Sequence, residues 1–221
     1  GSDTAQGLQT VARRDGDTWV INGAKRWIGN GSISDVTIIW ARDEEDNQVK
    51  GFIVPTSTPG YSAKRIENKQ ALRIVQNADI VLKDVVVPGA NRLQKSQSFR
   101  ETAAVLRLTR AEVAWAAVGN SIGAYEAAVA YAKERVQFGK PIGSHQLVQE
   151  LLAKSLGNIT SSIGLVTRVS EMLDEGIQKD EHSALAKEYT TSRMRETVAW
   201  RRELFGGNGI VMDYGVIKLF A

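Results

Sequence analysis

Three segments of this sequence combine residue types and spacings that can do chemistry. Arg135 stands at the end of a helical stretch, beside a Phe138-Gly139 turn. A guanidinium there can fork two hydrogen bonds onto a phosphate, or it can simply offset the helix dipole in solvent. Gln146 follows in the first turn of the next helix and by itself reads as a surface residue. Gly206-Gly207-Asn208-Gly209 closes a third helix. One glycine serves as a C-cap; three in four residues exceed what a cap needs and let backbone approach a ligand closely. Trp27-Ile28-Gly29 follows a strand-like run carrying Lys25 and Arg26, and on its own reads as a core tryptophan at a strand end. There is no cysteine, and His145 and His182 are the only histidines. That excludes disulfides and thiol catalysis and argues against a structural zinc site. A net charge of +3 suits a polyanionic small molecule and does not argue for nucleic acid.

The elements that must position these residues fall into two halves. Residues 1–92 read as β: Gln9 to Arg13 and Thr18 to Ile21 flank an Asp15-Gly16-Asp17 hairpin signal. Further β-branched runs cover Val36 to Trp40, Phe52 to Val54, Ile80 to Leu82 and Val85 to Val87, the last two separated by a polar Lys83-Asp84 turn. Many short strands with turn punctuation predict an antiparallel β-barrel or sandwich. From about Ser98 the period becomes helical, with Val113, Ala117, Ala124, Ala128 and Tyr131 on one face. Gly139-Lys140-Pro141 interrupts it, Glu175-Gly176 ends a second helix, and a third runs from about Glu181 to Leu204. Helices of roughly 23–37 residues would be about 35–55 Å long, which reads as three quarters of an antiparallel helix bundle. The expected fold class is therefore multi-domain α+β, with a middle β domain at 1–92 and a helical bundle domain at 93–221. No apolar run approaches the roughly 18–20 residues that span a bilayer.

Several segments, in this order, resemble the acyl-CoA dehydrogenase family. Gly1-Ser2-Asp3 resembles the end of its "TEPxxGSD" segment, and Lys25 to Asn30 resembles "K.WITN". Arg135 to Ile142 is similar to "RxxFGxPI", with Gln146 at the expected distance, and Glu203 to Gly209 resembles "QxxGGxG". Thr109-Arg110 followed by Ala114-Trp115 resembles the "AR…AW" start of the first long helix in the glutaryl-CoA dehydrogenase branch, and Leu106-Arg107-Leu108 lacks the Asp-Arg pair of the straight-chain enzymes.

The resemblance implies FAD-dependent α,β-dehydrogenation of an acyl-CoA thioester, short-chain or glutaryl-like. It implies that Arg135, Phe138 and Gln146 hold the pyrophosphate and adenosine part of FAD, largely in a neighbouring subunit's site, and that Glu203, Leu204, Phe205, Gly206 and Gly207 contact the cofactor. Glu203 stands where glutamine is usual. Trp27, Ile28 and Gly29 would lie against the flavin ring, with glycine in place of threonine or serine, a feature shared with plant short-chain acyl-CoA oxidases and with some bacterial dehydrogenases. Ser2 would meet the thioester end of the substrate; an initial Gly-Ser is also what a cleaved expression tag leaves, but Asp3-Thr4 continuing the family pattern favours the native reading. Arg110 would lie near the CoA entrance. The family implies a homotetramer, electron-transferring flavoprotein or O2 as acceptor, and a cytoplasmic location in bacteria or the mitochondrial matrix or peroxisome in eukaryotes. It also implies an N-terminal helical domain before residue 1 and a catalytic glutamate in a "YEGT"-like segment beyond Ala221. The alternatives are an acyl-CoA oxidase, a flavin monooxygenase, or an assembly protein with a degenerate flavin site.

Overall fold

The computed structural model describes residues 7–220; Ser2 lies outside them. The chain divides into two compact units between Ala103 and Ala104. The first is a six-stranded sheet. Its strands are β1 (Val11–Asp15), β2 (Thr18–Ile28), β3 (Val36–Asp43), β4 (Val49–Pro55), β5 (Tyr61–Arg65) and β6 (Ala78–Pro88), in the spatial order β4-β3-β1-β2-β6-β5. Gly16, at φ +58, makes the tight β1–β2 turn. All pairings are antiparallel except β1 with β3, which run parallel through Val11 opposite Arg42 and Ala12 opposite Asp43. Burial alternates along β3 and much of β2 and β6, and Ile21, Ile39, Phe52, Val54, Ile80, Val85 and Val87 are enclosed completely or nearly so. Trp19 meets Phe52 edge-on with ring centroids 5.3 Å apart.

Two expectations for this half need correction, for one physical reason. The Lys83-Asp84 pair is not a turn between two strands but a bulge inside the single long strand β6. Ile21 faces Val85 and Gly23 faces Leu82, so β6 carries one residue more than β2 across that interval. Asp84 takes φ +50 there, and its amide and side chain exchange hydrogen bonds with the Asn22 side chain at 2.8 and 3.0 Å. Likewise Trp27 does not follow a strand. It sits within β2 at a second bulge, where Lys25 faces Ile80 and Ile28 faces Ala78. The polar and Gly-like positions that read as breaks are absorbed by bulges while pairing continues on both sides. The edge strand β5, with only two apolar residues partly covered, was not expected.

The second unit holds α1 (Phe99–Glu134) except its first turn, α2 (Gln146–Asp174) and α3 (Asp180–Leu204), then a short α4 (Val216–Phe220). α1 starts on a capping box: Glu101 Oε2 accepts from the Ser98 amide at 2.9 Å, and Ser98 Oγ accepts from the Arg100 amide at 3.2 Å. α2 ends at Gly176, φ +70, whose amide donates to Leu173 O at 3.0 Å. Trp115 Nε1 donates to Ser170 Oγ at 3.1 Å, Tyr189 OH to Ser161 Oγ at 3.1 Å, and Asn120 Nδ2 reaches Met194 Sδ at 3.6 Å. Contact order along the chain makes α2 antiparallel to both neighbours and α1 parallel to α3. Small residues line the seams: Ala114, Ala117, Ala124 and Ala128 on α1, Ser155 and Ser162 on α2, Ser183 and Ala186 on α3, all buried. Between α2 and α3 their size lets the two axes approach closely.

Candidate functional site

The glycine-rich segment and Arg135 meet around one cavity in the second unit. It measures about 380 Å³ and is lined by Tyr131, Arg135, Gln137, Ile142 and residues 204–208. α1 delivers Tyr131 and Arg135 one turn apart; the Arg135 amide still donates to Tyr131 O at 2.9 Å. The chain then reverses through β7 (Val136–Gln137) and β8 (Lys140–Pro141), with Phe138 at φ +53 and Gly139 at φ +75. Two successive left-handed residues make the tight reversal that suits a two-residue hairpin. The Ile142 amide closes it by donating to Arg135 O at 2.8 Å. Arg135 is exposed, and its guanidinium has no hydrogen bond or ion pair among the described residues.

The glycines differ in what the fold asks of them. Gly206 takes φ +57 directly after α3. A Cβ on Gly209 would come within 2.3 Å of Arg202 O. Gly207 has neither constraint, since a Cβ there would meet nothing within 4 Å. Its missing side chain therefore leaves backbone accessible at the cavity without helping the fold. Phe205 stacks on Tyr131 with centroids 4.0 Å apart and planes 14° apart, and Asn208 Nδ2 donates to Tyr131 OH at 2.9 Å. Behind Phe205 lies Arg201, 6 % exposed, with its guanidinium 5.3 Å from the ring centroid and Nη2 donating to Tyr214 O at 3.2 Å. Burial without a carboxylate partner pulls its pKa below the ordinary arginine value.

The cavity thus unites Arg135, Leu204, Phe205, Gly206 and Gly207. Three expected members lie off its lining. Phe138 is 92 % exposed and meets the His145 ring edge-on, centroids 5.8 Å apart; Gln146 is exposed at the start of α2 and Glu203 is exposed on α3. Tyr131, Gln137, Asn208 and Arg201 were not anticipated as site residues. Tyr131 was counted only as part of an apolar face, yet its position one turn before Arg135 is itself a signal. Arg110 is half-buried on α1, with no side-chain partner among the described residues. Another cavity, about 660 Å³ along α3 and α4, is lined by Met194, Val198, Leu219 and Phe220 with Arg195 and Glu196. It gathers none of the expected residues.

In the first unit, Trp27 stands at its bulge with φ +63 and is 54 % exposed. A bulky residue in the left-handed region is uncommon and needs support from its surroundings. Asn77 Nδ2 donates to Trp27 O at 3.2 Å, and the Arg26 guanidinium lies 5.9 Å from the indole centroid. Ile28 turns back onto the sheet core. Gly29 is exposed, and a Cβ there would make ordinary contact with Val75 at 3.6 Å. A tryptophan held outward in this way is not the core tryptophan that the residues alone suggested.

Residues 99–221 match the family model for the acyl-CoA dehydrogenase C-terminal domain, and residues 1–85 match that for the acyl-CoA dehydrogenase middle domain. The chain belongs to the acyl-CoA dehydrogenase family. It is 32% identical to cyclohexane-1-carbonyl-CoA dehydrogenase of Syntrophus aciditrophicus, over 100% of this chain and 58% of that protein. The fold matches glutaryl-CoA dehydrogenase from Mycobacterium smegmatis with a TM-score of 0.94 and 33% identity, covering 99% of this chain and 57% of the other. A glutaryl-CoA dehydrogenase of that organism solved in complex with FADH2 gives 0.93 and 31%, covering 97% and 55%. The chain thus spans a little under three fifths of the length of these acyl-CoA dehydrogenases.

Proposed function

We propose that this chain forms the flavin- and thioester-binding part of an FAD-dependent acyl-CoA dehydrogenase acting on a short-chain or glutaryl-like thioester. The observation that carries the reading is the unpaired Arg135 guanidinium beside the open backbone of Gly207 at one cavity. A guanidinium with no partner among the described residues, beside glycine backbone that no side chain shields, matches a pyrophosphate. FAD, when bound, supplies the acceptor for the hydride that leaves the substrate β-carbon. Arg135 would fork onto its phosphates, while Gly206 and Gly207 admit it to backbone distance. Phe138 and Gln146, exposed on the same connection, are free to reach a cofactor seated mainly on a second copy of the chain. Trp27 would exclude water from the flavin ring, with Ile28 anchoring the turn and the Gly29 N–H as donor. Arg110 would lie at the CoA entrance.

No glutamate among the described residues is assigned as base for the α-proton. Glu196 is paired with Arg193 at 3.0 Å and accepts from Asn158 at 3.1 Å, and Glu203 lies off the cavity. A homotetramer agrees with the apolar side chains exposed on α1 and α2, among them Val105, Leu108, Trp115, Leu147 and Leu156. Gly29, lacking a hydroxyl, favours an oxidase as a second reading, with O2 rather than an electron-transferring flavoprotein as acceptor.

The test is flavin retention. Arg135→Ala should weaken FAD binding by about 1.5–3 kcal/mol, roughly 10- to 150-fold, measured by flavin absorbance after dialysis. Unchanged retention would remove Arg135 from the site, and isolation of the parent without flavin would favour an assembly role. Comparing turnover of butyryl-CoA and glutaryl-CoA with a dye and with O2 separates dehydrogenase from oxidase.

A further inference from the structure

The left-handed Trp27 does not hold itself, and the segment that braces it is organised by one ammonium group. Between β5 and β6, residues 66–77 form an irregular loop with few ladder bonds. Lys69, half-buried within it, donates from Nζ to Leu72 O at 2.9 Å, to Val75 O at 2.6 Å and to Asn77 Oδ1. All three ammonium donors are thereby used on one loop, and Lys69 forms no ion pair among the described residues. The loop then reaches the turn at residues 27–32 by three further bonds. Asn77 Nδ2 donates to Trp27 O at 3.2 Å, the Gln76 amide to Asn30 Oδ1 at 3.2 Å, and Ser32 Oγ to Gln76 Oε1 at 3.4 Å. Val75 covers Gly29.

Seven described non-glycine residues have positive φ, and four of them fall in these two segments: Trp27, Asn30, Asn68 and Leu72. Strained backbone persists only where its surroundings over-determine it. Here the fixed point is Lys69, because the Asn77 amide group is oriented by giving its oxygen to the ammonium and its nitrogen to Trp27 O.

We propose that Lys69 is a positioning residue for the Trp27–Asn30 turn, acting through Asn77. The clamp fixes the loop, the oriented Asn77 amide holds the Trp27 carbonyl, and the indole and the Gly29 N–H keep one direction. Any effect on flavin rests on the reading of that turn as a flavin contact; the effect on the turn itself does not.

The experiment uses the flavin-loaded parent protein with Lys69→Met, Lys69→Arg and Asn77→Ala, the last serving if Lys69→Met does not fold. Amide hydrogen exchange at residues 27–30 should speed about tenfold in Lys69→Met and in Asn77→Ala, with residues 49–55 unchanged. Lys69→Arg should restore part of the protection. The flavin absorption envelope and midpoint potential should shift in the same variants, with kcat affected more than KM. Faster exchange confined to residues 66–77, with 27–30 as protected as before, would overturn the proposal and leave Lys69 a local staple. Faster exchange at 27–30 with unaltered flavin spectrum and potential would uphold the positioning role and refute the flavin reading of Trp27.

Discussion

The two units fill their interiors by different means. The β unit buries large side chains, with Phe52 and Ile21 fully enclosed, and takes charged groups in with them: Lys25, Lys50 and Asp43 are all under 9 % exposed. The bundle closes on alanine, serine and valine, and leaves Val105, Val113, Trp115 and Leu156 on its surface. A sheet curled on itself can enclose bulky residues from both directions. Between α2 and α3, small residues on the seam let the two helices approach closely. Both units also leave large apolar side chains exposed, among them Ile33, Leu72 and Ile74 in the first and Val105, Trp115 and Leu156 in the second.

The sharpest break of this contrast is a large-to-small change in each interior. Phe52→Ala should cost about 3–5 kcal/mol, read as a drop in denaturation midpoint of the first unit. No single bundle truncation should match it. Next, Lys50→Met should cost about 3 kcal/mol, because it strands Asp43, whose side chain is 2 % exposed, without its cation. Loss below about 1 kcal/mol would mean that the carboxylate finds other partners. Third, overpacking the small seam with Ala186→Leu should cost about 1–3 kcal/mol and lower the helical melting transition. A neutral outcome would show the helices free to move apart.

The smallest effect is a pH dependence that sets two buried lysines of one sheet against each other. Burial lowers Lys25 from 10.5 to about 8, and among the described residues its ammonium has only Trp40 O, at 2.6 Å, to satisfy it. The native state therefore binds fewer protons than the unfolded chain between about pH 8 and 10.5, so this lysine makes stability rise with pH across that window. For Lys50, burial works downward too, but the hydrogen bonds it donates to Asp43 and Asp46 outweigh it and raise the pKa above 10.5. Its stabilisation is complete below 10.5 and is lost as pH rises through the higher native value. For Asp46, burial acts upward, yet the bond from Lys50 brings the pKa below its ordinary value. Its share is present above 3.8 and disappears as pH falls through the depressed value. Chemical denaturation of Lys25→Met between pH 8 and 10 should lose the upward slope of the parent, and Lys50→Met should keep it.

How much of this was legible follows from where the signals lie in the chain. The helices were read closely because their stops are local: Gly139-Lys140-Pro141, Glu175-Gly176 and Gly206-Gly207 interrupt an otherwise continuous helical period. Ser98 and Glu101 also carried a capping-box signal that was not used. Arg135, Gly206 and Gly207 could be picked out because a charge or an excess of glycine stands beside a helix end. Trp27 was found but misplaced, because a bulge is defined by its partner strand, and Ala78 to Ile80 lie some fifty residues away in sequence. Lys69 gave no signal at all: three carbonyl-type acceptors from its own loop are invisible until the loop is folded. Tyr131 was hidden by its second role as an apolar helix residue.

The strand order has a consequence for how the molecule is made. β2, in the middle of the sheet, gains one neighbour at once across the Gly16 turn but pairs on its other side with β6, Thr18 opposite Pro88. During synthesis its second edge stays open until nearly the whole first unit has been extruded. Loop closure over that span is slow compared with helix formation. The helices that follow rely on contacts between neighbours in sequence, so they can gather quickly once their residues emerge. The unit translated first thus carries the slower pairing, and an interrupted chain exposes β2 as an unpaired edge to other chains.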